Sequence, residues 1–73
     1  MKKNTVYKKL GKNIKNKRMQ LGYTQQELAD RIGKGLNFVG KIEVAFSKPS
    51  LDTVIDIANA LNVEIKDLFT FNK

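Results

Sequence analysis

The tetrapeptide Thr24-Gln25-Gln26-Glu27 constrains this chain more than any other feature. It reads as a capping box: the threonine hydroxyl accepts from a backbone N–H of the first helical turn, and the glutamate reaches back to the cap. Leu28, Ala29 and Ile32 follow with their side chains directed inward, and Gly33 ends the helix. A three-residue connection, Gly33-Lys34-Gly35, leads to a second apolar pair, Val39 and Ile42, which predicts another helix over 36–44. Two short helices joined by a tight turn containing glycine have the form of a helix-turn-helix. Ala29 and Gly33 are small where the two helices must approach closely. With Val39 and Ile42 holding the later helix from behind, Asn37, Phe38, Gly40 and Lys41 are not required by a core.

The flanking segments supply the rest of a small helical fold. Leu10, Ile14 and Leu21 share one face of a first helix over 6–21, ended by Gly22, with Arg18 interrupting the apolar stripe. Ala45 to Pro49 reads as a loop holding the only proline. Ser50 is a good N-cap and Asp52 suits the positive end of a fourth helix over 51–61, striped with Leu51, Val54, Ile57, Ala58 and Leu61. Asn62 fits the end of that helix. A short helix over 65–69 and a tail over 70–73 complete the chain, with no repeat or low-complexity segment.

With 73 residues the chain has room for one domain and a modest core. It contains neither cysteine nor histidine, so disulfides and thiolate metal sites are ruled out and zinc would need carboxylates alone. Stability must come from clean helix packing and a subunit partner. No cofactor is expected, and no enzyme: there is no evident carboxylate pair in a cleft. The basic start is not followed by a continuous apolar stretch, and no run approaches the roughly 18 residues of a membrane helix. A cytoplasmic protein is therefore expected.

The net charge is +7, and eight of the fourteen basic residues lie within 2–18, before the first acid, Glu27. A polyanion is the natural partner, nucleic acid before anionic membrane. A solvated basic helix face is the bland alternative.

The residues in detail narrow this. Thr24 to Ala29, the pair Ile42-Glu43, and Lys48-Pro49-Ser50-Leu51 stand at separations that resemble the lambda-repressor and Cro-type (Xre-like) helix-turn-helix family, over about 10–69. The resemblance implies an all-α, five-helix DNA-binding domain whose reading unit is 24–43, preceded by a basic arm and helix start at 1–9. It implies that Gln25 bonds a phosphate and braces the recognition helix, and that Leu36, Asn37, Gly40 and Lys41 face bases. It places Phe38 near the DNA backbone and Ser47 and Lys48 in a loop that grips the sugar-phosphate chain; Lys34 is grouped with them. It also implies a buried ion pair between Arg18 and Glu43.

Chemically, Lys41 can donate to guanine and Asn37 can read adenine or bond a phosphate, while Leu36 and Phe38 can only touch thymine methyls. Gly40 costs about 1 kcal/mol of helix propensity, which close approach to DNA would explain. Three positions depart from the family pattern. Ala45 stands where glycine is usual, implying a different turn or strain, and Val44 and Phe46 are apolar where polar residues are usual. The leading expectation is a transcriptional regulator, a repressor or autoregulator, bound as a homodimer to a near-palindromic operator in double-stranded DNA. Val63, Ile65, Leu68, Phe69 and Phe71 would form the dimer surface, and no small-molecule effector or membrane is expected as partner. The alternative is a protein-binding antitoxin or antirepressor module with weakened DNA contact, motivated by Leu36, Phe38, Val44 and Phe46.

Overall fold

The computed structural model describes residues 1–71. Five helices run Lys3–Gln20 (α1), Gln25–Arg31 (α2), Phe38–Glu43 (α3), Leu51–Ala60 (α4) and Ile65–Leu68 (α5), and no strand occurs among the described residues. The all-α, five-helix architecture agrees with the sequence reading.

The capping box at the start of α2 is fully formed. The Glu27 N–H donates to Thr24 Oγ1 at 3.0 Å, and the Thr24 N–H donates to Glu27 Oε1 at 2.9 Å. The bond from the Thr24 backbone, then that from its hydroxyl, holds the Glu27 carboxyl below the usual carboxylate range. Ser50 caps α4 by accepting from the Thr53 N–H at 3.2 Å.

Four helices end in one and the same motif. The N–H two residues past the cap returns to a carbonyl in the last turn: Tyr23 to Arg18, Lys34 to Ala29, Phe46 to Lys41 and Val63 to Ala58, at 2.8–3.0 Å. Such a Schellman turn needs a left-handed residue just before that donor. Gly22 and Gly33 supply it for α1 and α2, Asn62 for α4, and Ala45, at φ 61°, for α3. The expected departure at Ala45 is therefore strain in an ordinary turn. A left-handed alanine costs about 1–2 kcal/mol, partly offset by its smaller unfolded-state entropy. Ala45→Gly is expected to stabilise the protein by about 0.5–1 kcal/mol, read as a rise in Tm of about 2–8 °C. An unchanged or lower Tm would show that the turn is relaxed.

The core joins all five helices. Leu10 and Ile14 of α1 meet Leu28 and Ala29, Val39 and Ile42, Val54, Ile57 and Ala58, then Leu61 and Leu68. Two apolar residues assigned to core stripes lie outside it. Leu21 is 47 % exposed because α1 stops at Gln20, and the inward place beyond Ile14 belongs to Arg18. Leu51, in the first turn of α4, is 66 % exposed and borders a shallow groove with Val6, Tyr7 and Phe69. α1 begins three residues earlier than the apolar pattern marks. α3 begins two residues later, since Asn37 takes a left-handed conformation, φ 72°, and leaves Leu36 in the connection. No helix among the described residues is long and apolar enough to cross a membrane.

Candidate nucleic-acid interface

Three devices fix α3 from behind. Val39 and Ile42 insert into the core, both essentially inaccessible to water. Gly11 lets the carboxyl end of α3 press directly on α1. A Cβ on Gly11 would lie 2.5 Å from the Ile42 carbonyl oxygen and 2.6 Å from that of Glu43. The third device is a polar cluster. Arg18 donates from Nε to Glu43 Oε2 at 2.7 Å, from Nη2 to Glu43 Oε1 at 3.1 Å, and from Nη1 to the Tyr23 carbonyl at 2.7 Å. Gln25 adds a bond from Nε2 to Glu43 Oε1 at 3.0 Å. One guanidinium and one carboxylate thereby tie α1, the turn before α2, α2 itself and α3 together. No buried side-chain polar atom among the described residues lacks a partner.

These anchors leave Asn37, Gly40, Lys41 and Val44 on the opposite face, spaced i, i+3, i+4, i+7 along α3 and its cap. Leu36, Asn37, Lys41 and Val44 are exposed there. Gly40 has a reason that spacing did not reveal. Its missing Cβ makes room for Gln25, whose Oε1 would lie 3.0 Å from it. The glycine thus accommodates a side chain of its own protein, which in turn bonds Glu43. Phe38 is half-buried and packs against the core, with the Lys34 ammonium over its ring. Its position at the start of α3, one residue before the anchoring Val39, turns it inward.

Basic residues stand on both flanks. The Lys34 ammonium lies 5.3 Å from the centre of the Phe38 ring, and that of Lys48 lies 5.5 Å from the centre of Tyr7. Such cation–π contacts limit where a lysine can wander, which lowers the cost of fixing it on a phosphate. Ser47 is half-buried beside them, its N–H donating to the Lys41 carbonyl at 3.1 Å. The single acid between 34 and 48 is Glu43, buried and neutralised by Arg18. The outward surface there is positive and apolar.

At the other end of the molecule the assigned dimer residues divide. Leu68 is fully buried in its own core and is removed from the set, because α5 needs one anchor and has only four residues. Val63 packs on the core, and Phe71 lies half-buried against Phe69 with Lys9 over its ring. Ile65 and Phe69 keep more than a third of their surface in water. Asn13 fastens this end to α1, donating from Nδ2 to the Leu68 and Thr70 carbonyls at 2.9 and 3.0 Å.

Sequence reasoning passed over Gly11, Tyr7 and the intramolecular role of Gly40. Gly11 did carry a signal: it shares a helical face with Ile14 and Arg18, at i, i+3 and i+7. A mid-helix glycine on the inward face implies close approach.

Comparison with known proteins points the same way. Residues 14–68 match the helix-turn-helix family. The HTH-type transcriptional regulator ImmR of Bacillus subtilis is 37% identical over 54 residues, which are 74% of this chain and 42% of that protein. The cryptic phage CTXphi transcriptional repressor RstR of Vibrio cholerae is 32% identical over 60 residues, 82% of this chain and 54% of that protein. The chain thus spans about half the length of these two relatives. The crystal structure of the restriction-modification controller protein C.AhdI from Aeromonas hydrophila superposes with a TM-score of 0.85 at 29% identity, over 89% of this chain and 98% of that one.

Proposed function

This chain belongs to the helix-turn-helix family, and on that premise we propose that it is a sequence-specific transcriptional regulator, a repressor or autoregulator, that inserts α3 into the major groove of double-stranded DNA. The observation that carries this reading is the outward face of α3. Apart from Gly40, which faces Gln25, it is exposed and free of acid, and the core, Gly11 and Arg18 hold the helix from the opposite side. A helix so presented fits the major groove, where each base pair shows a distinct pattern. Asn37 and Lys41 supply the hydrogen-bonding contacts to bases. Lys34, Ser47 and Lys48 lie where the phosphate rim would run, and Gln25 keeps a second amide N–H to donate to a phosphate beyond its bond to Glu43.

A single domain of this size makes too few contacts for tight specific binding, so the operator is near-palindromic and bound by a homodimer. Its half-sites lie about one helical turn apart. The exposed Ile65 and Phe69 support a dimer contact at the α5 end. The protein acts in the cytoplasm without cofactor or effector.

The test combines selection from random-sequence DNA with a salt titration. Lys48→Ala is expected to weaken binding to every duplex alike and to reduce the salt slope by about one. Lys41→Ala is expected to relax the preference at one base pair, at a cost of about 1–3 kcal/mol to the selected site. If no sequence is enriched and the chain instead captures a protein partner, the antitoxin or antirepressor reading replaces this one.

A further inference from the structure

Val44 and Phe46 carry apolar surface that the fold does not use. Phe46 is the residue that closes the Schellman turn of α3. A hydrophobic residue at that place ordinarily packs back on its helix. At the equivalent places after α1 and α4, Tyr23 and Val63 do lie against the core. Phe46 instead stays 78 % exposed, and Val44, one turn beyond Lys41, 74 % exposed. Both border one shallow depression with Asn37, Gly40 and Lys41. Asn37 and Gly40 also border the neighbouring depression, whose edge is Leu36, 77 % exposed. An apolar band, interrupted by Asn37 and Lys41, therefore runs along the outward face of α3, from Leu36 before the helix to Val44 and Phe46 after it.

The setting of this band selects its occupant. Lys41 borders it, Lys34 and Lys48 precede and follow α3 in the chain, and no acid borders either depression, since Glu43 is turned inward on Arg18. A surface that is both cationic and apolar is complementary to a polyanion with apolar groups at its floor. The major groove is such a surface: phosphates line its rims, and each thymine projects a C5-methyl group into it.

We infer that Leu36, Val44 and Phe46 read thymine methyl groups, so that this chain selects its sites by apolar contact as much as by hydrogen bonds. The inference rests on the DNA-binding reading above. It accounts for a reading helix poor in hydrogen-bonding side chains: Asn37 and Lys41 fix the register, and the apolar residues on either side of them discriminate thymine from cytosine at the flanking positions. Uracil pairs as thymine does but lacks the methyl, so replacing thymidine by deoxyuridine isolates the contact. Loss of one buried methyl is expected to weaken binding about fourfold.

The experiment takes duplexes enriched from a random-sequence library by the wild-type chain and re-synthesises them with deoxyuridine at one thymidine position at a time. Wild type is expected to lose about fourfold in affinity at two or more positions within the site. Val44→Ala and Phe46→Ala, both at exposed side chains, should melt like wild type, bind the thymidine duplex more weakly, and each lose the deoxyuridine effect at its own position. An enriched sequence whose deoxyuridine forms bind as well as the original overturns this inference while leaving DNA binding intact. So does a Phe46→Ala chain that binds the selected duplexes as tightly as wild type. A library from which nothing is enriched overturns both readings together.

Discussion

Gly11→Ala is expected to destabilise the protein by about 3 kcal/mol and to lower its Tm by about 12–24 °C. The added Cβ would stand 2.5–2.9 Å from backbone atoms of Ile42 and Glu43, and backbone cannot rotate away as a side chain can. The alternative is to push the carboxyl end of α3 off α1, which opens the packing around Ile42 and stretches the Arg18–Glu43 contact. Alanine returns about 1 kcal/mol as the better helix former, too little to offset the overlap. Gly40→Ala provides the contrast. There the Cβ would meet only the far end of Gln25 at 3.0 Å, and that side chain can swing aside. Gly40→Ala should therefore hold or raise the Tm while freeing Gln25 from Glu43. Thermal melting of the two variants side by side decides the matter. Equal Tm values would mean that α1 and α3 are less closely joined than the geometry requires.

The two glycines also show where the sequence stops being readable. Local chemistry was legible because it acts over a few residues. The Thr24–Glu27 box, the Ser50 cap, and the glycines after α1 and α2 each perform their task within one turn of chain, and the structure places all of them accordingly. Apolar spacing likewise identified the residues that meet in the core, except at helix ends. Leu21 falls just past the last residue of α1, with Arg18 holding the inward place, and Leu51 stands in the first turn of α4 at the rim of a groove. Where a helix starts and stops, which apolar spacing does not report, decided both.

The reading surface was less legible, for a related reason. Whether Phe38 faces inward or outward depends on where α3 begins, and that is set by the left-handed Asn37, a conformation open to asparagine but not dictated by it. Glycine at position 40 is silent about what fills the space it leaves; that answer comes from Gln25, fifteen residues earlier, and appears only when α2 and α3 are docked. Conversely, Val44 and Phe46 stand out in the sequence as apolar residues in a loop. Only their exposure, beside a Schellman turn that ordinarily buries such a residue, separates a surface contact from a core one.

Arg18→Ala is expected to cost about 3–5 kcal/mol, a large part of the stability available to a domain of this length. The reason lies more in what is left behind than in what is removed. The Glu43 side chain is 1% exposed, so without Arg18 a carboxylate remains buried with only the Gln25 amide beside it, and the Tyr23 carbonyl loses its donor. Arg18→Lys should rescue little, because one ammonium cannot span both carboxylate oxygens and the carbonyl as the guanidinium fork does. Removing both charges is a different perturbation. An Arg18→Met, Glu43→Leu double variant exchanges the pair for apolar bulk and is expected to melt within about 1–2 kcal/mol of wild type. Its α3 would then be held by packing alone, without the polar cluster that sets its angle to α1 and α2. If the pair serves to orient the reading helix, the double variant should keep its Tm yet discriminate less well between the selected duplex and random DNA. A single variant Arg18→Ala that melts with wild type would remove the pair from the account of stability. A double variant that retains full discrimination would remove it from the account of recognition, leaving Gly11 and the apolar anchors Val39 and Ile42 to orient α3 by themselves.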